Sequence, residues 1–195
     1  MLKSQLVEMI MSGGGKGAKL QGANLYKAIL TKANFYGADL QGANLVGADL
    51  RGANFVGAIL ESTEFENANL QGANFTGAFF GLAELQKANL KGANLQDADL
   101  ISADFTNANL ENANLTRAAF EHTNLEGANF RGANLTDAYF EDMDLLGADL
   151  RGANFTGANL TGANFEGAKY DARTIWPRGF TPPGGSRMAS RNPFR

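Results

Sequence analysis

The chain has 195 residues, 44% of them apolar, with 17 Lys and Arg against 20 Asp and Glu and a formal charge of −3, which fits one soluble domain and excludes disorder throughout. It has no Cys and one His, so disulfides, thiolate nucleophiles and Cys-based zinc or iron–sulfur sites are excluded, and His122 has no second ligand to build a metal centre with. No run approaches the ~18 apolar residues of a membrane span, and no small-residue cleavage site follows the early apolar stretch Leu2 to Met11, so a cytoplasmic protein is expected.

At the start, Leu2, Leu6, Met9 and Ile10 fall at helical spacing, with Lys3, Ser4 and Glu8 between them and Gly13 placed to end a helix. Residues 1–17 therefore read as a short amphipathic capping helix and a glycine linker. A partner-binding or membrane-surface helix is the alternative, although a single lysine makes a poor anchor.

From Leu20 to Tyr170 a large apolar residue falls on every fifth position, giving 31 units without an insertion. Two positions before this centre stands Ala in 28 of the 31, the exceptions being Thr63, Thr123 and Met143. The residue between them is polar, usually Asn or Asp, as in Ala43-Asn44-Leu45 and Ala153-Asn154-Phe155. A period of five fits neither a helix nor a flat strand, because either would scatter the apolar positions over all sides. They share one interior if the chain turns after every unit, with Ala and the centre inward on a short β segment and the residue between them outward. The remaining two residues form the corner, where Gly42, Gly72 and Gly157 occupy the position that calls for positive φ.

A square circuit stacks residues twenty apart, and a triangular one stacks residues fifteen apart. At twenty, the outward residues Asn34, Asn54, Asn74, Asn94, Asn114, Asn134 and Asn154 form an unbroken ladder. At fifteen, Asn34 is followed by Asp49, Glu64 and Phe79. The pattern predicts four units per coil and just under eight coils, a rod about 37 Å long.

Units such as Ala98-Asp99-Leu100 and Ala163-Asn164-Phe165 resemble the pentapeptide-repeat family, and the resemblance covers about four-fifths of the chain. It implies an all-β fold, a right-handed quadrilateral parallel β-helix over residues 18–171, in keeping with the general preference for right-handed crossovers.

Charges divide unequally among the four predicted faces. The face centred on Leu25, Leu45 and Phe65 carries Glu64, Glu66, Glu84, Asp104, Glu126, Asp144 and Glu166 against Lys27 and Lys87, a net −5. The preceding face, centred on Leu20, Leu40 and Leu60, carries Asp39, Glu61, Asp99, Glu121, Glu141 and Asp142 against Lys19, also −5. The face centred on Leu30 and Leu50 is +2, and the Asn-ladder face is −1. The second of these acidic faces also places Ile59, Phe79, Leu82, Ile101 and Tyr139 outward, where the repeat calls for polar residues. Such a cluster, rimmed by Glu61, Glu121 and Glu141, reads as a docking or dimerisation surface, with scattered surface apolars as the alternative.

After the repeats, Tyr170-Asp171, Ile175-Trp176-Pro177 and Phe180 interrupt the period and resemble the aromatic C-terminal cap of many cyanobacterial pentapeptide-repeat proteins. Trp176 is expected to act as a lid. Residues 172–195 then comprise this cap and a basic tail containing Arg187, Arg191 and Arg195, either solvated or in contact with an acidic partner.

No nucleophile, phosphate loop or carboxylate cleft stands out, so no catalytic residue, cofactor, metal or small-molecule substrate is expected. The leading expectation is a non-enzymatic interaction or scaffold solenoid whose partner is an unidentified protein or a second copy. The rival follows from a likeness to quinolone-resistance proteins of the family, in which an acidic β-helix imitates duplex DNA and occupies a type II topoisomerase. Direct nucleic-acid binding is disfavoured because the body would repel phosphates.

Overall fold

The structure is a computed structural model and describes residues 2–141 and 143–182. Asp142 and the tail arginines Arg187, Arg191 and Arg195 lie outside the described residues.

Parallel β bridges join outward residues twenty apart in columns. One column runs Asn34, Asn54, Asn74, Asn94, Asn114, Asn134, Asn154 and a second runs Lys19, Asp39, Ile59, Phe79, Asp99, Ala119, Tyr139, Asn159. The backbone shows why five residues suffice for a side and its corner. In the coil around Leu40, Leu40 donates to Ile59 O at 2.8 Å, Gly42 to Glu61 O at 2.9 Å, and Ala43 closes the turn on Leu40 O at 2.8 Å. Every described second corner position from Gly17 to Gly167 has positive φ, between 51° and 72°. Glycine adopts that conformation without strain, whereas Leu82 at 60° is an L residue held in the left-handed region.

The preference for Asn or Asp on the outward position has a local cause. The first corner amide needs an acceptor, and the outward side chain two residues earlier supplies one: Val46 N–H donates to Asn44 Oδ1 at 3.1 Å and Ile101 N–H to Asp99 Oδ1 at 3.1 Å. The same amides link coils, as Asn114 Nδ2 donates to Asn94 Oδ1 at 2.9 Å and Asn129 Nδ2 to Asn109 Oδ1 at 3.0 Å.

The interior is filled by the centres and the alanines, which are buried through the middle coils, while Ala18, Ala23, Ala163, Ala168 and Tyr170 at the two ends are partly buried. Phe35, Phe55 and Phe75 stack face to face with centroids 4.8 Å apart. Two departures from Ala are satisfied locally: Thr63 and Thr123 are buried and donate their hydroxyls to Leu40 O at 2.9 Å and Leu100 O at 2.7 Å.

Both ends depart from the repeat. Helix α1, Lys3–Met9, runs into a π-helical turn at Ile10–Gly14, placing Leu6, Val7 and Met9 against the core and burying Ile10. Leu2 contributes nothing to that face and is exposed. Gly15 is required to be small, because a Cβ there would meet Asn34 O at 2.5 Å. At the other end the step lengthens by one residue, since Asn154 is bridged to Ile175 rather than to residue 174. Thr174 donates to Leu150 O at 3.0 Å, the role that Thr63 and Thr123 have in earlier coils. Trp176 consequently stacks on Phe155 at 5.3 Å and meets Phe165, Tyr170 and Phe180 within 5.6 Å. It closes the end of the core, as a lid would.

Candidate protein-interaction faces

The columns fix where each charge stands. Glu64, Glu84 and Asp104 are bridged in succession, so three carboxylates follow one another at the strand separation of about 4.8 Å. Neighbouring amides and hydroxyls relieve some of the repulsion: Asn44 Nδ2 donates to Glu64 at 2.7 Å, Gln86 Nε2 to Asp104 at 2.8 Å and Thr106 Oγ1 to Asp104 at 2.5 Å. Glu66, Glu126 and Glu166 occupy the adjoining corner column, and Asp144, twenty residues after Asn124, is bridged to Asn164. On the neighbouring face, Gln41 Nε2 donates to Glu61 at 2.9 Å.

The apolar residues do not form one patch. Ile59 and Phe79 are bridged neighbours, 38% and 49% exposed, and Leu82 stands at the next corner at 65%. Ile101 lies one coil above Gly81 and is half-buried rather than fully outward. Tyr139, 51% exposed, shares the column but is separated from Phe79 by Asp99 and Ala119. Ile59, Phe79, Leu82 and Ile101 therefore form a contiguous group, and Tyr139 stands apart.

This group also breaks a local rule of the fold. Where Ile59 and Phe79 stand, the outward side chain offers no oxygen to the amides of Glu61 and Gly81, the contact that Asn and Asp make in other coils. Tyr26, Ile29 and Tyr36 are further exposed apolar residues near the first coils.

His122 is exposed at a corner with φ of 58°. Among the described residues no cluster of His, Asp or Glu could hold a metal ion, and no helix is long and apolar enough to cross a membrane.

The sequence profile of the pentapeptide repeats matches in eight copies, spanning residues 16–47, 43–81, 63–100, 93–132, 113–145 and 133–169. The chain belongs to the pentapeptide-repeat family. No curated protein matches it. Among solved structures, this pentapeptide-repeat protein is similar to HetL of the cyanobacterium Nostoc sp. strain PCC 7120, described as involved in heterocyst differentiation regulation. The identity is 35% over 77% of this chain and 73% of HetL, with a TM-score of 0.34. It is also similar to trypsin-treated QnrB1, a plasmid-mediated fluoroquinolone resistance protein, at 21% identity over 80% of this chain and 91% of that one, TM-score 0.55, a likeness of fold. A pentapeptide-repeat protein from the Arabidopsis thaliana thylakoid lumen matches at 28% identity over 65% of this chain and 70% of that one, TM-score 0.39.

The repeat pattern places Lys32, Arg51, Lys91, Arg131, Arg151 and Lys169 on the +2 face against Asp49, Glu111, Asp149 and Asp171, but it does not bring Arg173 to them. The extra residue after Tyr170 brings Arg173 beside Gly152, whose added Cβ would lie 3.9 Å from Arg173 Cβ, and so next to Arg131 and Arg151. The signal available in the sequence was a spaced pair, Asp49-Leu50-Arg51, Asp149-Leu150-Arg151 and Asp171-Ala172-Arg173, in which each Arg grips the Asp two residues before it.

Proposed function

We propose that this chain is a non-enzymatic cytoplasmic scaffold. In this reading it is a right-handed quadrilateral β-helix of just under eight coils over residues 18–171, capped by residues 1–17 and 172–195. Its acidic, apolar-centred side docks a protein partner, and the contact group is Ile59, Phe79, Leu82 and Ile101, framed by Glu61 and Glu121. The observation that carries the reading is the substitution of apolar side chains for the acceptor that corner amides need. That exchange forfeits about 0.5–1.5 kcal/mol per hydrogen bond and exposes apolar surface, two costs that folding alone gives no reason to retain. The partner that fits presents an apolar knob with basic residues around it.

The test separates binding from folding. The double variant Ile59→Asn and Phe79→Asn restores both acceptors and is expected to melt no lower than the wild type while losing the protein that the wild type retains from native lysate. Equal retention of that protein by both forms overturns the reading.

A second reading has its own observation. The carboxylates Glu64, Glu84 and Asp104 succeed one another at a fixed pitch and, with Glu66, Glu126, Asp144 and Glu166, make a linear negative surface suited to imitating duplex DNA before a type II topoisomerase. Purified protein would then inhibit gyrase supercoiling at micromolar concentration, and Glu64→Gln with Glu84→Gln would relieve the inhibition. No inhibition by the wild type rejects this reading.

A further inference from the structure

On the +2 face, at the C-terminal end of the rod, an open depression of about 280 Å³ is lined by Glu111, Asn112, Arg131, Gly132, Arg151, Gly152 and Arg173. Arg131 and Arg151 belong to one column, since Gly132 N–H donates to Arg151 O at 3.0 Å. The glycine corners at 132 and 152 keep side chains out of the floor of the groove. Three guanidinium groups thus come from consecutive coils, a spacing set by the strand separation of about 4.8 Å.

Two of the three are held in fixed orientation. Arg151 donates through Nε and Nη2 to Asp149 at 2.8 and 2.5 Å, and Arg173 through Nε and Nη2 to Asp171 at 3.0 and 2.7 Å. Asp171 is itself fixed, because its Oδ1 accepts from Gly152 N–H at 3.1 Å. A guanidinium has five N–H donors in a rigid fork, and each aspartate engages only one edge of it. Arg131 follows Asn129 instead of an aspartate, and the carboxylate whose charge it feels, Asp149, is already hydrogen-bonded to Arg151. Glu111, the carboxylate on the groove wall, is held by Lys91 at 3.1 Å, and Lys169 stands above Asp149 in its column. The neighbourhood therefore holds five cations, Lys91, Arg131, Arg151, Lys169 and Arg173, against the three carboxylates Glu111, Asp149 and Asp171. The same pair at Asp49 and Arg51 has Thr31 and Gln71 as column neighbours, with Lys32 as the further cation against its corner, and stacks no second arginine.

From this juxtaposition we infer a phosphoryl-binding groove: oriented guanidinium forks in successive coils, backed by two further lysines, take a phosphate or diphosphate dianion along the rod axis. Forked donors suit tetrahedral oxyanions, and bidentate arginine contacts are the strong form of such recognition. The groove lies on a different face from the proposed docking group and does not depend on it.

The test uses the full chain at constant ionic strength, titrating pyrophosphate, inorganic phosphate and a phosphoserine peptide in parallel by calorimetry and thermal shift. One saturable site with a Kd below ~1 mM is expected for at least one of the three. A tighter peptide points to a protein-borne phosphate, and a tighter pyrophosphate to a free one. Arg131→Gln, which orphans no carboxylate, is expected to weaken binding about tenfold, and Arg131→Lys, which keeps the charge but loses the fork, to weaken it nearly as much. Arg51→Gln is expected to leave affinity unchanged, and circular dichroism checks that each variant is folded. No saturable binding by the wild type overturns the inference, as does unaltered affinity in Arg131→Gln.

Discussion

Replacing Phe55 with Ala tests the packing logic of the rod most directly. Phe55 is fully buried, stacked on Phe35 and Phe75 at 4.8 Å with interplanar angles of 10° and 8°, and meets Phe65 edge-on at 6.1 Å. Truncating a buried Phe costs about 3–5 kcal/mol through lost transfer energy and the cavity left behind, and each aromatic pair adds about 0.5–1.5 kcal/mol. Phe130 is equally buried but has one edge contact, to Phe120 at 6.4 Å. The two variants share the transfer and cavity cost, so the two additional pairs should make Phe55→Ala roughly 1–3 kcal/mol more destabilising than Phe130→Ala. Urea unfolding followed by far-ultraviolet circular dichroism and by Trp176 fluorescence measures this. Trp176 sits on Phe155, coils away from Phe55, so in Phe55→Ala the dichroism transition is expected to precede the fluorescence one, as coupling only between neighbouring coils requires. Equal costs for the two variants, with coincident transitions, would refute the reasoning.

Leu82→Gly should raise stability by about 0.5–1 kcal/mol, because relieving an L residue at φ of 60° outweighs the added freedom of the unfolded chain. A lowered urea midpoint contradicts this. Thr123→Val, which keeps the volume but removes the donor to Leu100 O, should cost about 1 kcal/mol in the same assay. Asp49, Asp149 and Asp171 titrate below the usual Asp value because Arg51, Arg151 and Arg173 hydrogen-bond their carboxylates. A depressed folded pKa stabilises the protein fully above the unfolded value of about 3.9 and loses that contribution as pH falls through the lower folded value. Arg151→Gln should therefore lower the melting temperature near neutrality and reduce its fall below about pH 4, measured by thermal melts across that range. An acid limb as steep as that of the wild type contradicts the assignment.

The solenoid was legible because five residues cannot keep one side inward unless the chain turns, and because the Asn column survives at a spacing of twenty and fails at fifteen. The capping helix was legible from Leu6, Met9 and Ile10, which do face the core, whereas Leu2 shares their spacing and does not. The candidate patch was only half legible. Column arithmetic brings Ile59 and Phe79 together, but it carries no measure of side-chain burial and so misses that Ile101 is half-buried, and it counts Tyr139 as a neighbour although Asp99 and Ala119 intervene. The arginine groove was hidden for a different reason. It depends on one additional residue between Asn154 and Ile175, and a strict period carries no information about where a register slip will swing Arg173.

The bridges that join residues twenty apart also bear on how the protein comes into being. Each circuit finds its template in the one completed just before it, so no segment must wait for a distant part of the chain to be made. At synthesis rates of about 5–20 residues per second, a new layer can be laid down every one to four seconds. Helix α1, Lys3–Met9, precedes the coils along the chain, and the Trp176 lid, stacked on Phe155, follows them. An order of assembly that follows translation is thus open to this fold, from the α1 helix through the coils to the Trp176 lid.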